Sequence, residues 1–150
     1  MGYYINIDDG KINGGSELDN SRFATETSFQ IEVSKELYED CMNEPLKYIY
    51  SNGSIVSNPN YETDKQIERK ARIMELTMTP LDFLKALNKI GISYATVKQI
   101  MEDNPEVDME MRYCQNVYRK HPMIDQFASQ FGITSEQIDE LFIQANGGEI

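Results

Sequence analysis

The sequence GITSEQIDELF, Gly132 to Phe142, follows a glycine with a β-branched residue and a Thr-Ser pair, and sets apolar Ile138 and Leu141 six and nine positions beyond it. Ala128, a small residue, lies four positions before the glycine. That is the spacing of a helix-turn-helix corner. Thr134 and Gln137 supply the two halves of a capping box, so a helix starts there and is expected to fray near Asn146-Gly147-Gly148. GISYATVKQIM, Gly91 to Met101, has the same form 41 positions earlier (132 − 91): glycine, isoleucine, a hydroxyl residue, then apolar residues at the same two later positions. Any tight helical corner favours this combination, so the echo reads as one corner used twice.

The punctuation around these corners predicts a compact bundle of five short helices over 79–150. Thr79 caps a helix that opens on Pro80 and ends at Gly91, and Ser93 caps the next, to about Met101. Pro105 opens a long helix through about Lys120, with Val107, Met111, Cys114 and Tyr118 on one face. Pro122 starts another, ending at Gly132, with Met123, Ile124, Phe127, Ala128 and Phe131 inward. A DNA-reading helix needs Arg, Lys, Asn or Gln toward the bases and cations for the phosphates. The last helix is expected to expose Ser135, Glu136, Gln137, Asp139 and Glu140, and no Lys or Arg follows Lys120. The corner is therefore expected to serve packing, with no direct nucleic-acid binding.

Residues 1–60 have β character. Tyr3 to Ile7 is a short strand stopped by Asp8-Asp9-Gly10, across which KIN returns, and Gly14 to Ser21 has a flexible composition. Phe23, Thr25, Thr27, Phe29, Ile31 and Val33 alternate with mostly polar residues, the period of a half-buried strand. Ser34 caps a short helix over KELYEDCM, and Asn52-Gly53 between two β-prone runs marks a two-residue hairpin. Residues 61–78 are expected to form a connecting amphipathic helix in which Ile67, Ala71, Met74 and Met78 make a narrow apolar stripe, a seam for self-association or a face lying on its own domain. The fold class is α+β: an N-terminal antiparallel β-hairpin module, the connecting helix, and the five-helix C-terminal bundle.

The charge balance is −11, from 25 Asp and Glu against 14 Lys and Arg. A field of that sign repels phosphate backbones. The two cysteines, Cys41 and Cys114, lie in apolar-patterned stretches without C-x-x-C spacing, which points to reduced thiols and synthesis inside a cell. No leader pattern and no apolar run near ~18 residues is present, so a soluble, unexported protein without membrane contact is expected. Chemistry is hard to place. The single histidine, His121, sits before Pro122 in a hinge, and no zinc-type set or phosphate-binding glycine loop occurs. Asp8 to Asn13 fails as a calcium loop because Ile5 and Ile7 would occupy ligand positions. Glu106, Asp108 and Glu110 read as a solvated helix surface. Neither a cofactor, a metal nor an enzymatic role is expected.

Several motifs in order carry a resemblance: FQIEVSKELYEDCMN, the hairpin KYIYSNGSIVSNPNY, then LTMTPLDFLKALNKIGISYATVKQIMED and YRKHPMIDQFASQFGITSEQIDELF. This order resembles small structural proteins encoded in phage and prophage tail regions, the matching positions being Phe83, Gly91, Ile92, Arg119, Pro122, Gly132, Ile133, Asp139 and Phe142. The likeness covers about Phe29 to Phe142, and Met1 to Asn20 has no counterpart in it. It implies a non-enzymatic tail, fibre or baseplate component, located in a virion or a host cytoplasm. Its partners would be other phage structural proteins or a host protein, and it would form a closed homo-oligomer such as a trimer. A different class, a small acidic phage-encoded inhibitor that mimics nucleic acid and blocks a basic groove of a host enzyme, rests on the acidic face of Glu102, Asp103, Glu106, Asp108 and Glu110.

Overall fold

A computed structural model describes residues 2–150, and the chain is α+β with seven α-helices among the described residues. It divides into two compact units, Met1–Ile67 and Glu68–Ile150.

The first unit is built on two hairpins of the same type. Strand β1 (Tyr3–Asp8) turns into β2 (Lys11–Ser16) through Asp9 and Gly10, both at positive φ (48° and 74°), and Asp8 faces Lys11 across the pair. Strand β4 (Tyr48–Ser51) turns into β5 (Ser54–Ser57) through Asn52 and Gly53, at φ 50° and 84°. Two consecutive left-handed residues impose a twist that matches the strands on either side, which is why both two-residue loops carry a glycine. Strand β3 (Ser28–Val33) pairs antiparallel with β1 on its other edge, giving the order β2-β1-β3. Ile5 and Ile7 of the central strand are fully buried, facing Ile31 and Phe29 of β3 in register, and Cys41 of helix α1 (Lys35–Asn43) joins them in the core.

Two expectations for this unit change. The alternation from Phe23 to Val33 is strand only from Ser28. The Ser28 amide donates to the Thr25 hydroxyl (2.9 Å) and the Thr25 amide to the Ser28 carbonyl (2.7 Å), closing a turn, while Phe23 sits in a 3-10 turn (Ser21–Phe23), exposed beneath the Arg22 guanidinium. Conversely, the Gly14 to Ser21 stretch is ordered strand as far as Ser16. Gly15 passes so close to helix α1 that a Cβ there would lie 2.5 Å from the Tyr38 ring. Any larger residue there would have to displace that ring, with Met42 Cε and the Tyr4 carbonyl oxygen each 3.1 Å away.

The second unit begins within helix α2 (Tyr61–Met74), whose buried residue is Ile73. The helix stops at Met74 instead of continuing to Met78. Thr77–Met78 form strand β6, paired antiparallel with β7 (Val117–Tyr118). Helices α3 (Pro80–Lys89), α4 (Tyr94–Asp103), α5 (Pro105–Tyr113), α6 (Pro122–Gln130) and α7 (Ser135–Ala145) complete the unit. The long helix expected from Pro105 to Lys120 thus ends at Tyr113, with Cys114 already extended (ψ 143°). A β-branched and an aromatic residue, Val117 and Tyr118, lose little in leaving a helix and gain the ladder with β6.

Both glycine corners are closed alike. Ile92 donates its amide to Leu87 (3.0 Å) and Gly91 to Asn88 (3.1 Å), while Ile133 donates to Ala128 (3.1 Å) and Gly132 to Ser129 (3.1 Å). These are paired 6→1 and 5→2 bonds around a left-handed glycine. Ser93 and Thr134 then accept from Thr96 and Gln137 to start the next helices. The same closure recurs at the C-terminus, where Gly148 donates to Ile143 (2.9 Å) and Asn146 ties its side-chain amide to the Thr77 carbonyl (2.9 Å), so α7 is capped where fraying was expected. Phe83, Leu87, Phe127, Ile138 and Phe142 form the centre of the core, with Phe83 in contact with the Phe127 and Phe142 rings.

In the first unit, Asp40 accepts from the Tyr48 hydroxyl (2.5 Å) and from Lys47 (2.9 and 3.0 Å), and these bonds hold its carboxyl below the usual range. A carboxylate whose folded pKa is depressed contributes stability that is complete above its unfolded value, about 3.9, and is lost as pH falls through the folded value. Melting followed by the β-sheet circular dichroism signal should therefore fall in this acid window, and Asp40→Asn should flatten that part of the profile.

Candidate functional site

The segment from Cys114 to Pro122 determines the surface of the second unit. Val117 is buried, Tyr118 exposed and Arg119 completely buried, the alternation of an extended chain. The Arg119 amide extends the ladder by donating to the Leu76 carbonyl (3.0 Å). Its guanidinium is surrounded by acceptors: Nε donates to Asp139 (2.6 Å), the two terminal nitrogens to Asp125 (3.0 and 3.2 Å), and one of these also to the Ser135 hydroxyl (2.7 Å). Lys70 of α2 bonds the other oxygen of Asp139. Burial opposes the charge on Arg119, yet the bonds to Asp125 and Asp139 more than offset it and its pKa is raised. The planar fork suits this arrangement, because one side chain satisfies acceptors on both α6 and α7.

This overturns one expectation about the last helix. Asp139 is buried and Ser135 half-buried, both turned toward Arg119, while Glu136, Gln137 and Glu140 remain outside. The signal was present in the sequence: Ser135, Ile138, Asp139 and Phe142 fall at i, i+3, i+4 and i+7, so one carboxylate lies on the apolar stripe and requires a buried cation.

Beside the anchored strand lies an apolar groove of about 470 Å³ formed by α5, β7 and α6. Val107, Met111, Val117, Ile124 and Phe127 line it, with Met109, Tyr113 and Tyr118 at its margin, exposed at 63%, 81% and 45%. The polar groups in the groove are few. His121 caps α6 by accepting the Met123 amide on Nδ1 (3.3 Å), and its Nε2 lies 3.3 Å from Glu110. Cys114 also lines the groove, and burial pushes its thiol pKa up. Among the described residues no hydrogen bond joins Cys114 to His121, so the histidine has its ring nitrogens turned to structure and the sulfur stays a protonated thiol. Such a lining offers apolar contact area. A second depression of similar volume lies alongside, sharing Val107, Met123 and Phe127 with the first and bordered by Asp103 and Glu106.

The sequence-derived site residues are distributed differently. Ile67 and Ala71 are exposed on α2 and Met74 is half-buried, but Met78 is buried in β6, so the four do not form one helical stripe. In the acidic set, Glu102 is 3.7 Å from Lys98 and Asp108 accepts from Arg112 (2.6 Å); Glu110 lies 3.3 Å from His121, an ion pair only when that ring is protonated, and Asp103 and Glu106 have no ion pair among the described residues. No group of three His, Cys, Asp or Glu side chains suited to a metal occurs among the described residues, and no helix there is long and apolar enough to cross a membrane. Comparisons with protein-family models, curated proteins and solved structures found no match.

Breaking a buried charge network from one side leaves the partner carboxylate unpaired, at a cost of about 3–5 kcal/mol. Urea denaturation followed by helical circular dichroism should show Arg119→Ala losing stability of that order. Arg119→Lys should recover only part of it, because an ammonium cannot span Asp125, Asp139 and Ser135 together. Full recovery by lysine would show that charge alone is sufficient.

Proposed function

We propose that the chain is a non-enzymatic structural or assembly component of a phage virion, in a tail, fibre or baseplate, acting through protein–protein contacts made by the groove of its second unit. The observation that carries this reading is the groove itself: an apolar cleft whose margin displays Met109, Tyr113 and Tyr118 to solvent. Exposed aromatic and methionine side chains around an apolar cleft characterise the centres of protein interfaces. The likeness in motif order to phage tail-region proteins supports the setting. Assembly into a closed homo-oligomer belongs to the same reading; of the Ile67, Ala71, Met74 and Met78 set, Met78 is interior, so a seam on α2 would use the exposed Ile67 and Ala71.

The acidic-inhibitor reading is the second one, with Glu102 and Asp108 of its acidic face paired to Lys98 and Arg112. Duplex DNA is a poor partner for α7, whose outer face carries Glu136 and Glu140.

Mass spectrometry of purified particles is expected to find the chain in a fixed ratio to other tail proteins. Met109→Gln/Tyr113→Ser, at two exposed positions, should abolish incorporation without changing the melting temperature. A chain that never enters particles, or a double variant that enters normally, would sink the assignment. Gel shifts with duplex oligonucleotides at low salt should show no complex.

A further inference from the structure

The groove differs from a plain apolar cleft in its electrostatics. Asp103 and Glu106, at the junction of α4 and α5, border the adjoining depression, and neither has an ion-pair partner among the described residues. Four cations of the unit are engaged with other carboxylates: Lys98 with Glu102, Arg112 with Asp108, Lys120 with Glu75, and the buried Arg119 with Asp125 and Asp139. Val107, Met123 and Phe127 line both depressions, so the surface is a continuous apolar track that ends at two uncompensated carboxylates.

Resting on the docking role proposed above, we infer that the groove receives a short amphipathic segment of another protein, with aliphatic or aromatic anchors along one side and Lys or Arg at one end. Anchors at i, i+3 or i+4, and i+7 of a helix span about 10 Å, which fits within the roughly 13 Å length of the nine-residue α5 beside the groove. The apolar part supplies affinity, and the acidic end sets direction and excludes acidic sequences. A second copy of this chain is the competing occupant: in its most cation-rich stretch, 65–72, Lys70 is committed to Asp139 and Arg72 to Glu68, while Lys65 and Arg69 have no ion pair among the described residues, so the test includes self-association as an outcome.

The chain contains no tryptophan, so a tryptophan-bearing peptide reports its own binding by fluorescence. The probes are three amphipathic peptides of about 14 residues with identical tryptophan and leucine anchors, flanked by lysine, glutamine or glutamate, titrated into the full chain. The lysine peptide should bind at least about tenfold more tightly than the other two. Asp103→Lys/Glu106→Lys should remove most of that preference, and added salt should weaken it. Glu17→Lys/Glu26→Lys changes the net charge equally, at residues that line neither depression, and should have little effect.

Equal binding of all three peptides, or equal loss in both double variants, would overturn the charge assignment while leaving docking in the groove intact. Failure of every peptide to bind would overturn the inference, and the reading beneath it falls separately only if Met109→Gln/Tyr113→Ser also enters particles normally. Self-association that displaces the lysine peptide and disappears in Met109→Gln/Tyr113→Ser would assign the groove to a second copy and overturn the proposal.

Discussion

Arg119 is a cation with no access to water, and the second unit is arranged around that constraint. An unpaired charge in such a place would cost several kcal/mol, so its acceptors have to be brought to it. They come from Asp125 on α6, Ser135 and Asp139 on α7, and Asp139 in turn holds Lys70 on α2. One side chain thereby fixes three helices and the strand from which it projects. Buried ion networks of this kind contribute little net stability relative to apolar packing, but they penalise misplaced alternatives heavily, because any shift leaves a charge unsatisfied. That strand also forms a wall of the apolar groove, so the arginine bears on the groove by positioning its scaffold.

The backbone solutions are economical in type. Two hairpins of the first unit use the same two-residue turn, and three helices of the second end in the same glycine closure. Each supplies a partner for amides and carbonyls that a helix or strand end would otherwise leave bare. The resemblance of Gly132 to Phe142 to a DNA-reading corner follows from this shared need. A helix-turn-helix and a packing corner solve the same backbone problem, and only the outward side chains differ.

Much of the fold was legible because it depends on local chemistry. Asn52-Gly53 specified a hairpin through its tolerance of positive φ. Ser34, Thr79, Ser93 and Thr134 marked helix starts because their hydroxyls accept from amides two or three residues ahead, and all four do so in the structure. The groove was not legible, since its walls come from α5, β7 and α6, and ordinary core-type residues line it. Cys114 and Tyr118 continued a helical period on paper, and nothing local marked the point where the chain became extended.

Sequence alone therefore determined the α+β class, both hairpin turns, the glycine corners and the acidic balance, all of which rest on interactions within a few residues or on a simple sum of charges. Tertiary structure decided where α2 and α5 end, because the four residues of β6 and β7 gain their ladder only from one another, about forty positions apart (117 − 77). It also decided which carboxylates face inward. Asp139 and Glu140 are adjacent and chemically alike in sequence, and only the position of a distant arginine makes one a buried partner and leaves the other in water.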